Sequence, residues 1–438
     1  MRIAMLSYHT CPLAILGGKD TGGMNVYVRE LTRFLGQLGV HVDVFTRSQD
    51  EHVPHVLHDL GYGNRVVHIC SGPEKPMPKK ELAGYLPEFA QGIQEFAAHK
   101  GIQYDLIHSH YWMSGIAAGI LQKVWKVPVI QMFHTLGHIK NSVARHPSEV
   151  EGAYRIEGEQ EVVQLADRIV VATPAEVEQL TSLYHADAGK IVVIPPGVDC
   201  SRFYPIPSDE AKAVIGIPSD EQMILFVGRI EPLKGVETLL RAIALIRERC
   251  HQRRCPYYLA IIGGDPNEQA QGADSEMYRL RGICHELGLD DMVVFLGKRD
   301  QTTLPYYYSA AEMLVMPSYY ESFGMVALES MACGTPVVAS HTGGLAYLVQ
   351  NGVTGFTVSG GDVRALAKRL TQLIEQPELR RKIGEQASQY ARAYAWENIA
   401  AKIKALYEET LNPARDQDAR ANNHFQLPPM NTADSVLQ

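Results

Sequence analysis

Two cations at the end of a predicted strand could together hold a diphosphate. The strand Ile224–Val227 runs into the loop Gly228–Gly235, which carries Arg229 and Lys234 between its two glycines. Guanidinium and ammonium groups make charge-assisted hydrogen bonds with phosphate oxygens. The alternative is a pair of solvated loop cations, and the order of residues is not that of a Walker A loop. The position at the strand end favours the diphosphate site.

Two carboxylates follow a later strand. Glu321 precedes Ser-Phe-Gly, and Glu329 comes eight residues later. This spacing places the first at the mouth of a loop and the second about two turns along the next helix. Taken by themselves, Glu321 could be a helix N-cap acid and Glu329 an ordinary surface glutamate.

A glycine pair, Gly22-Gly23, stands where the first long helix is expected to begin. Paired glycines at a helix N-terminus let backbone N–H groups approach a phosphate, although a simple turn is the alternative. No G-x-G-x-x-G follows the first strand, which disfavours a dinucleotide-binding domain and weakens the case for a nicotinamide oxidoreductase.

The sequence around these residues alternates between short β-branched runs and longer amphipathic stretches. This alternation is typical of parallel strands joined by crossover helices, and these elements must position the residues named above. The alternation stops near Pro195–Asp199 and resumes at Met223. We therefore predict an α/β protein with two doubly wound domains, residues 1–200 and 201–393, followed by a helix over 394–411 and a disordered tail over 412–438. The carboxyl ends of both sheets should face a shared cleft.

Composition limits the function classes. The chain has 438 residues with 49 acidic and 41 basic side chains, a formal charge of −8, and no Lys/Arg-rich block, so a nucleic-acid surface is not expected. No window approaches the apolar length of a membrane-spanning helix, and the N-terminus lacks a signal-peptide pattern. We expect a cytoplasmic protein that makes no membrane contact.

The seven cysteines show no CxxC pair or even spacing, which predicts free thiols in a reducing compartment. Cys250 and Cys255 flank His251. A single cluster of this kind lacks the paired knuckles of a structural zinc site, so no metal site is predicted there.

The ordered motifs G-R-x-x-x-x-K-G, E-S-F-G-x-x-x-x-E, G-T-P-V-V-A and G-G resemble the second domain of retaining glycosyltransferases of family four. That family has the GT-B fold, in which two Rossmann-like domains face a central cleft. The resemblance covers residues 1 to about 411. It implies a hexosyltransferase that uses a UDP-sugar, UDP-glucose or UDP-N-acetylglucosamine.

The resemblance also implies roles for single residues. It assigns the donor diphosphate to Arg229 and Lys234, the donor sugar hydroxyls to Glu321, and the ribose to Glu329. It places Gly23 beside the diphosphate, Arg299 where backbone faces the uracil, and His134 against the donor sugar. A satisfied core histidine is the alternative for His134.

The first domain carries His-Ser-His-Tyr-Trp at 108–112 and Phe-His-Thr-Leu-Gly at 133–137. These motifs resemble the D-inositol-3-phosphate glycosyltransferases and, in shorter form, the sucrose-phosphate synthases. The acceptor stays open between inositol 3-phosphate and fructose 6-phosphate, both small and phosphorylated. The acceptor residues that the resemblance implies are His9, Asn25, Lys79, Tyr111, Thr135 and Arg155. Lys79 and Arg155 would supply positive charge for a phosphate monoester.

The mechanism implied is front-face displacement, in which the leaving diphosphate helps to deprotonate the acceptor hydroxyl. No cofactor is required. Magnesium is optional, near Tyr308, Ser309, Ala311 and Thr335, and a homodimer is one candidate assembly. Alternatives on the same fold are a nucleotide-sugar epimerase, a binding protein without activity, and a transferase acting on a lipid or polysaccharide.

Overall fold

The structure, a computed structural model, describes residues 1–15, 21–58, 60–144, 147–249, 257–264 and 276–412. The Cys250/His251/Cys255 cluster and the predicted disordered tail beyond Asn412 lie outside the described residues.

The first half forms one eight-stranded sheet with helices between its strands. Its strands are β1 (Arg2–Leu6), β2 (His41–Arg47), β3 (Val56–Leu57), β4 (Arg65–Ile69), β5 (Leu106–His110), β6 (Val129–Met132), β7 (Arg168–Val171) and β8 (Ile191–Val193). Its helices are α1 (Gly23–Gln37), α2 (Lys79–Leu82), α3 (Leu86–Lys100), α4 (Trp112–Trp125), α5 (Gly137–Val143), α6 (Ala153–Leu165) and α7 (Pro174–Tyr184).

The second half forms a six-stranded sheet. Its strands are β9 (Gln222–Val227), β10 (Tyr257–Ile262), β11 (Val293–Gly297), β12 (Ala311–Met316), β13 (Val337–Ser340) and β14 (Gly355–Val358). The helices after β8 are α8 (Ser208–Ile215), α9 (Val236–Arg249), α10 (Glu276–Glu286), α11 (Leu304–Ala310), α12 (Met325–Ala332), α13 (Leu345–Leu348), α14 (Val363–Glu375), α15 (Pro377–Ala391) and α16 (Trp396–Leu411).

Both sheets are doubly wound. The first has the order β3-β4-β2-β1-β5-β6-β7-β8, and the second has the order β11-β10-β9-β12-β13-β14. The paired strands are parallel except for β3 against β4. Strand order reverses beside β1 in the first sheet and beside β9 in the second. In open α/β sheets ligands bind outside the carboxyl ends of the strands at such reversal points.

Helices cover both faces of each sheet. Successive strand side chains, which point to opposite faces, are therefore both buried and apolar. Ile3, Ala4, Met5 and Leu6 of β1 are fully buried, as are the central residues of β9. Continuous apolar runs of this kind are characteristic of parallel sheets. Among the strands of the described residues, the sequence patterns did not indicate β3, a two-residue antiparallel strand that is too short to show an alternation.

The last helix, α16, packs on α1 of the first half. Trp396 lies edge-on to Tyr27 of α1, with ring centroids 5.3 Å apart, and the Tyr407 hydroxyl contacts His108 of β5. The chain passes between the halves at residues near 198 and near 395, and these two crossings are joined by hydrogen bonds. Val198 N donates to Tyr394 O (2.8 Å), and Trp396 N donates to Val198 O (3.1 Å).

The predicted domain boundary at residue 200 falls between β8 and α8, and it stays a prediction. Among the described residues, no helix is both long and apolar enough to cross a membrane. Five cysteines of the described ranges are free thiols, namely Cys11, Cys70, Cys200, Cys284 and Cys333.

Candidate active site

The glycine turn of the first half touches the cation loop of the second. A Cβ placed on Gly22 would lie 3.8 Å from Arg229 Nε, and one on Gly23 would lie 3.5 Å from Met325 Sδ. The first N–H groups of a helix have no partner within the helix, so the start of α1 offers donors and a positive dipole end at this point. Gly23 and Arg229 therefore face the same space between the two sheets.

Both cations of the loop after β9 are paired with carboxylates. Arg229 Nη1 donates to Glu231 Oε1 (2.6 Å), and Lys234 Nζ donates to Glu321 Oε2 (2.5 Å). The Lys234 and Glu321 side chains are only 15% and 17% exposed. A phosphate entering here competes with Glu231 and Glu321 for these donors.

The Glu321 loop is held by the second glycine pair. Gly344 N donates to Glu321 O (2.7 Å). Gly343 has φ +46°, and a Cβ on it would lie 2.0 Å from Glu321 O. A side chain at position 343 would therefore displace the loop that carries Glu321.

Glu329, in α12, lies deeper than its assigned role suggests. Tyr308 OH donates to its Oε2 (2.8 Å), and Gln301 Nε2 lies 3.4 Å from its Oε1. It is 6% exposed, and burial raises the pKa of its carboxyl to about 7.

Gln301 connects this carboxyl to the first half. Its Oε1 accepts from Arg29 of α1 and from Arg202 Nη1 (3.2 Å) after the crossing. Arg202 also contacts Glu30 (3.4 Å). Sequence reasoning missed this network, because its members are surface-type residues scattered over four segments with no common motif.

Arg299 follows β11. Its Nε donates to Tyr307 OH (2.9 Å) and its Nη1 donates to Lys298 O (3.0 Å). These bonds hold the side chain against its own loop, and the predicted contact of this loop with a uracil stays a prediction.

His134 lies just beyond β6 in a left-handed backbone conformation, with φ +62°. Tyr111, just beyond β5, has φ +72°. Such conformations are rare for residues with side chains, and they concentrate at functional sites. The two residues lie at the carboxyl ends of β5 and β6, which are adjacent in the first sheet.

A line of histidines runs inward from His134. His110 Nδ1 lies 3.0 Å from His134 Nε2, the His108 and His110 rings lie 4.3 Å apart, and His108 Nδ1 lies 2.7 Å from Tyr407 OH. Burial lowers the pKa of His108 and His134 to about 3 and holds that of His110 well below its usual value, so all three rings are neutral. Sequence reasoning noted His-Ser-His only as a motif. Its period of two, which places both histidines on one face of β5, was the available signal.

Tyr111 is the centre of the predicted acceptor residues. The His9 ring centroid lies 4.5 Å from that of Tyr111, Lys79 Nζ lies 5.6 Å from it, and Arg155 Cζ lies 5.1 Å from it. The cation contacts supply a cation–π attraction. The structure therefore brings together residues from the loop after β1, from α2, from the position just after β5 and from α6, which are far apart in the chain.

Arg155 is more enclosed than a phosphate-binding residue was expected to be. It is 1% exposed, and its guanidinium donates to Glu151 Oε1 (2.6 Å), Glu159 Oε1 (2.9 Å) and Thr135 Oγ1 (3.0 Å). Its positive charge is therefore balanced by two carboxylates. In this geometry Arg155 orients Thr135 and Tyr111.

The side-chain amide of Asn25 also forms hydrogen bonds with other groups of the protein. Its Nδ2 donates to Thr10 Oγ1 (2.7 Å) and to Cys11 O (2.7 Å), and its Oδ1 accepts from Gly22 N (2.9 Å). It ties the loop after β1 to the glycine turn. The predicted acceptor contact by Asn25 stays a prediction.

The residues suggested for the optional magnesium, which the resemblance places mostly on backbone atoms, lie together in and beside α11. Tyr308 and Thr335 are buried, and Thr335 Oγ1 donates to Tyr308 O (2.6 Å). Ser309 Oγ accepts from Ile206 N (3.3 Å). Magnesium at these positions stays a prediction.

Two family matches divide the chain as the sheets do. Residues 21–202 match the glycosyltransferase family 4 domain, and residues 207–390 match glycosyl transferases group 1. D-inositol 3-phosphate glycosyltransferase 2 of Catenulispora acidiphila is 40% identical, with 94% of this chain and 96% of that protein covered. D-inositol 3-phosphate glycosyltransferase of Actinosynnema mirum is 38% identical, covering 95% and 99%.

Among solved structures, the sucrose-phosphate synthase of Thermosynechococcus elongatus superimposes with a TM-score of 0.85 at 35% identity, covering 94% of this chain and 99% of that one. Anabaena HepE, in complex with UDP and glucose, has a TM-score of 0.71 at 20% identity, which shows a shared fold. The two parallel-sheet domains are those of the GT-B fold. The chain therefore belongs to the family four, group 1 glycosyltransferases.

Proposed function

We propose that this glycosyltransferase moves a hexosyl group from a UDP-sugar to a hydroxyl of a small phosphorylated acceptor, with retention of the anomeric configuration. The observation that carries the proposal is the placement of Arg229 and Lys234 at the end of β9, opposite the glycine turn that begins α1. Two cations and a helix N-terminus on facing sides are suited to a diphosphate.

On the donor side, Arg229 and Lys234 stabilise the charge that develops on the leaving diphosphate. Stabilisation of this kind is usually the largest single contribution to catalysis. Glu321 accepts hydrogen bonds from the sugar hydroxyls once Lys234 turns to the diphosphate, and His134 bonds another hydroxyl. UDP is the donor nucleotide that the resemblance of the donor motifs implies.

On the acceptor side, Lys79 is the cation that reaches the Tyr111 ring from the surface, and it binds the phosphate of the acceptor. Arg155 holds Thr135 and Tyr111 in place behind it. The similarity of this chain to known enzymes supports two candidate acceptors. The Catenulispora and Actinosynnema relatives are named for inositol 3-phosphate, and the Thermosynechococcus neighbour is a sucrose-phosphate synthase, so fructose 6-phosphate is the second.

In the transfer step, the acceptor hydroxyl attacks the anomeric carbon from the face that the diphosphate leaves. The bond between that carbon and the diphosphate oxygen breaks, and the leaving phosphate takes the hydroxyl proton. Glu321 accepts hydrogen bonds from the sugar hydroxyls rather than acting as a nucleophile. Closure of the two halves about the crossings near 198 and 395 excludes water.

The experiment is an incubation with UDP-glucose and with UDP-N-acetylglucosamine, first alone and then with each phosphorylated acceptor. We expect UDP release that depends on one acceptor. Conversion of the donor to its epimer without an acceptor would instead indicate an epimerase. Turnover only with a lipid or polysaccharide would overturn the assigned acceptor class.

A further inference from the structure

Three side chains with metal-binding atoms meet at the outer strands of the first sheet, beyond the carboxyl end of β4. They are His55, just before β3, Cys70, just after β4, and Glu74 in the segment that follows. One ligand atom from each lies within 4.8 Å of the others. They bring three different donor types, an imidazole, a thiol and a carboxylate.

The separations of these atoms approach the edges of a tetrahedron around a metal. Cys70 Sγ lies 3.5 Å from His55 Nε2, His55 Nε2 lies 3.2 Å from Glu74 Oε2, and Cys70 Sγ lies 2.9 Å from Glu74 Oε1. Tetrahedral Zn²⁺, at about 2.3 Å from sulfur and about 2.0–2.1 Å from nitrogen and oxygen, sets its ligand atoms roughly 3.3–3.6 Å apart. The imidazole faces Glu74 Oε2 and the thiol faces Oε1, so the carboxylate must turn to present one oxygen to the metal, and the sulfur–oxygen separation must lengthen.

The segment that carries Glu74 is held in place by residues that are not ligands. Ser48 Oγ donates to Glu74 Oε2 (2.7 Å). Arg47, which is 1% exposed, donates through Nε to Ser71 O (2.9 Å) and through Nη2 to Lys75 O (3.0 Å) and Pro73 O. Outer hydrogen bonds of this kind orient a ligating carboxylate and strengthen metal binding.

We propose that His55, Cys70 and Glu74 form a site for one divalent metal ion of the zinc class, with a water molecule as the fourth ligand. The thiol loses its proton to solvent when the Cys70 sulfur–metal bond forms, so binding releases one proton and changes no oxidation state. Thiolate and imidazole ligands select zinc, cobalt or copper over magnesium. The site is exposed on one side, as the half-exposed His55 side chain shows, so metal can enter from solvent.

The probe is Co²⁺, which reports a thiolate ligand by a charge-transfer absorption. The titration uses the full chain with Cys250→Ser and Cys255→Ser, which removes the two cysteines that flank His251. We expect one equivalent bound with a thiolate band, and loss of that band in Cys70→Ser and in His55→Ala. His52→Ala is the matched control, since its side chain is exposed in the same segment and lies outside the cluster, and it should bind as the parent does.

Two further measurements distinguish loss of the metal site from failure of a variant to fold. Ser48→Ala removes no ligand but one orienting hydrogen bond, and we expect metal affinity about 10–100-fold lower. Zn²⁺ should raise the melting temperature of the parent and of His52→Ala and leave that of Cys70→Ser unchanged. A thiolate band that persists in Cys70→Ser, or the absence of a band in the parent, would overturn the site.

Discussion

Lys234 Nζ lies 2.5 Å from Glu321 Oε2, although the two side chains are assigned to different parts of the donor. The lysine is assigned to the diphosphate and the glutamate to the sugar. On the proposed assignment, the donor diphosphate competes with Glu321 for Lys234, and we expect this competition to limit how strongly Lys234 holds the product nucleotide.

This pairing predicts opposite effects of Glu321→Gln on binding and on transfer. We expect UDP to bind several-fold tighter, because an opposing charge worth about 1 kcal/mol at a partly exposed pair is removed. Transfer should fall by about 100-fold, because a carboxylate acceptor for the sugar hydroxyls is lost. Calorimetry with UDP and a steady-state assay check the two effects. Weaker UDP binding in the variant would contradict the competition between Glu321 and the diphosphate.

Arg229→Ala should abolish most transfer while the fold is retained. Loss of one group that stabilises the leaving charge costs about 100–1,000-fold in kcat, and the 38% exposed Arg229 side chain contributes little to stability. Lys234→Ala should behave similarly. Arg241→Ala is the control, since it removes another partly exposed arginine paired to a glutamate, in α9. Unchanged turnover in Arg229→Ala and Lys234→Ala would reject the diphosphate assignment.

The raised pKa of the Glu329 carboxyl predicts that donor affinity depends on pH. Its folded pKa is raised to about 7, and ribose hydroxyls donate to the deprotonated form. Donor affinity should therefore rise as the pH rises, by about ten-fold between pH 6 and pH 8. UDP-glucose is the suitable ligand, because its diphosphate is esterified at both ends and does not titrate in this range. Glu329→Gln should flatten the profile, and a profile that keeps its slope in this variant would point to another group.

His110 should act as a positioning residue for His134. Its buried Nε2 has no hydrogen-bond partner among the described residues, and an orphaned N–H costs more than an orphaned lone pair. The proton of His110 therefore lies on Nδ1 and is donated to His134 Nε2, which leaves the His134 proton on Nδ1.

The measurement is ¹⁵N NMR of His134, which should report the Nδ1–H form at neutral pH. His110→Asn keeps a donor near the Nδ1 position and should retain most transfer, whereas His110→Leu should lower kcat by about ten-fold or more with little change in acceptor KM. An Nε2–H form of His134 in the parent would refute this assignment.

Lys79→Ala should raise the KM for a phosphorylated acceptor and leave UDP affinity unchanged. A charged hydrogen bond of about 1.5–3 kcal/mol corresponds to a KM increase of about 10–150-fold. Lys80→Ala is the matched control, because Lys80 is the next residue of α2 and is exposed. Equal effects of the two variants would remove Lys79 from the acceptor site. Arg155→Ala is a less suitable probe, since it would leave buried Glu159 without its cation.

Much of the fold could be predicted from sequence, because parallel strands are buried runs that a local pattern reveals. The loops after β9 and β12 also carried motifs that could be recognised from the local sequence. The pairing within the site could not be predicted. Lys234 and Glu321 are 87 residues apart, and Arg155 donates to Thr135, which is 20 residues earlier in the chain. Local patterns place a residue on an element but do not show its partner.

The most direct test is transfer by the parent protein to matched acceptors with and without phosphate. We predict that UDP-glucose or UDP-N-acetylglucosamine releases UDP in step with glycosylation of fructose 6-phosphate or inositol 3-phosphate. Fructose and inositol themselves should react at least ten-fold more slowly. Equal rates with the phosphorylated and unphosphorylated compounds, or UDP release that no acceptor accelerates, would contradict the account.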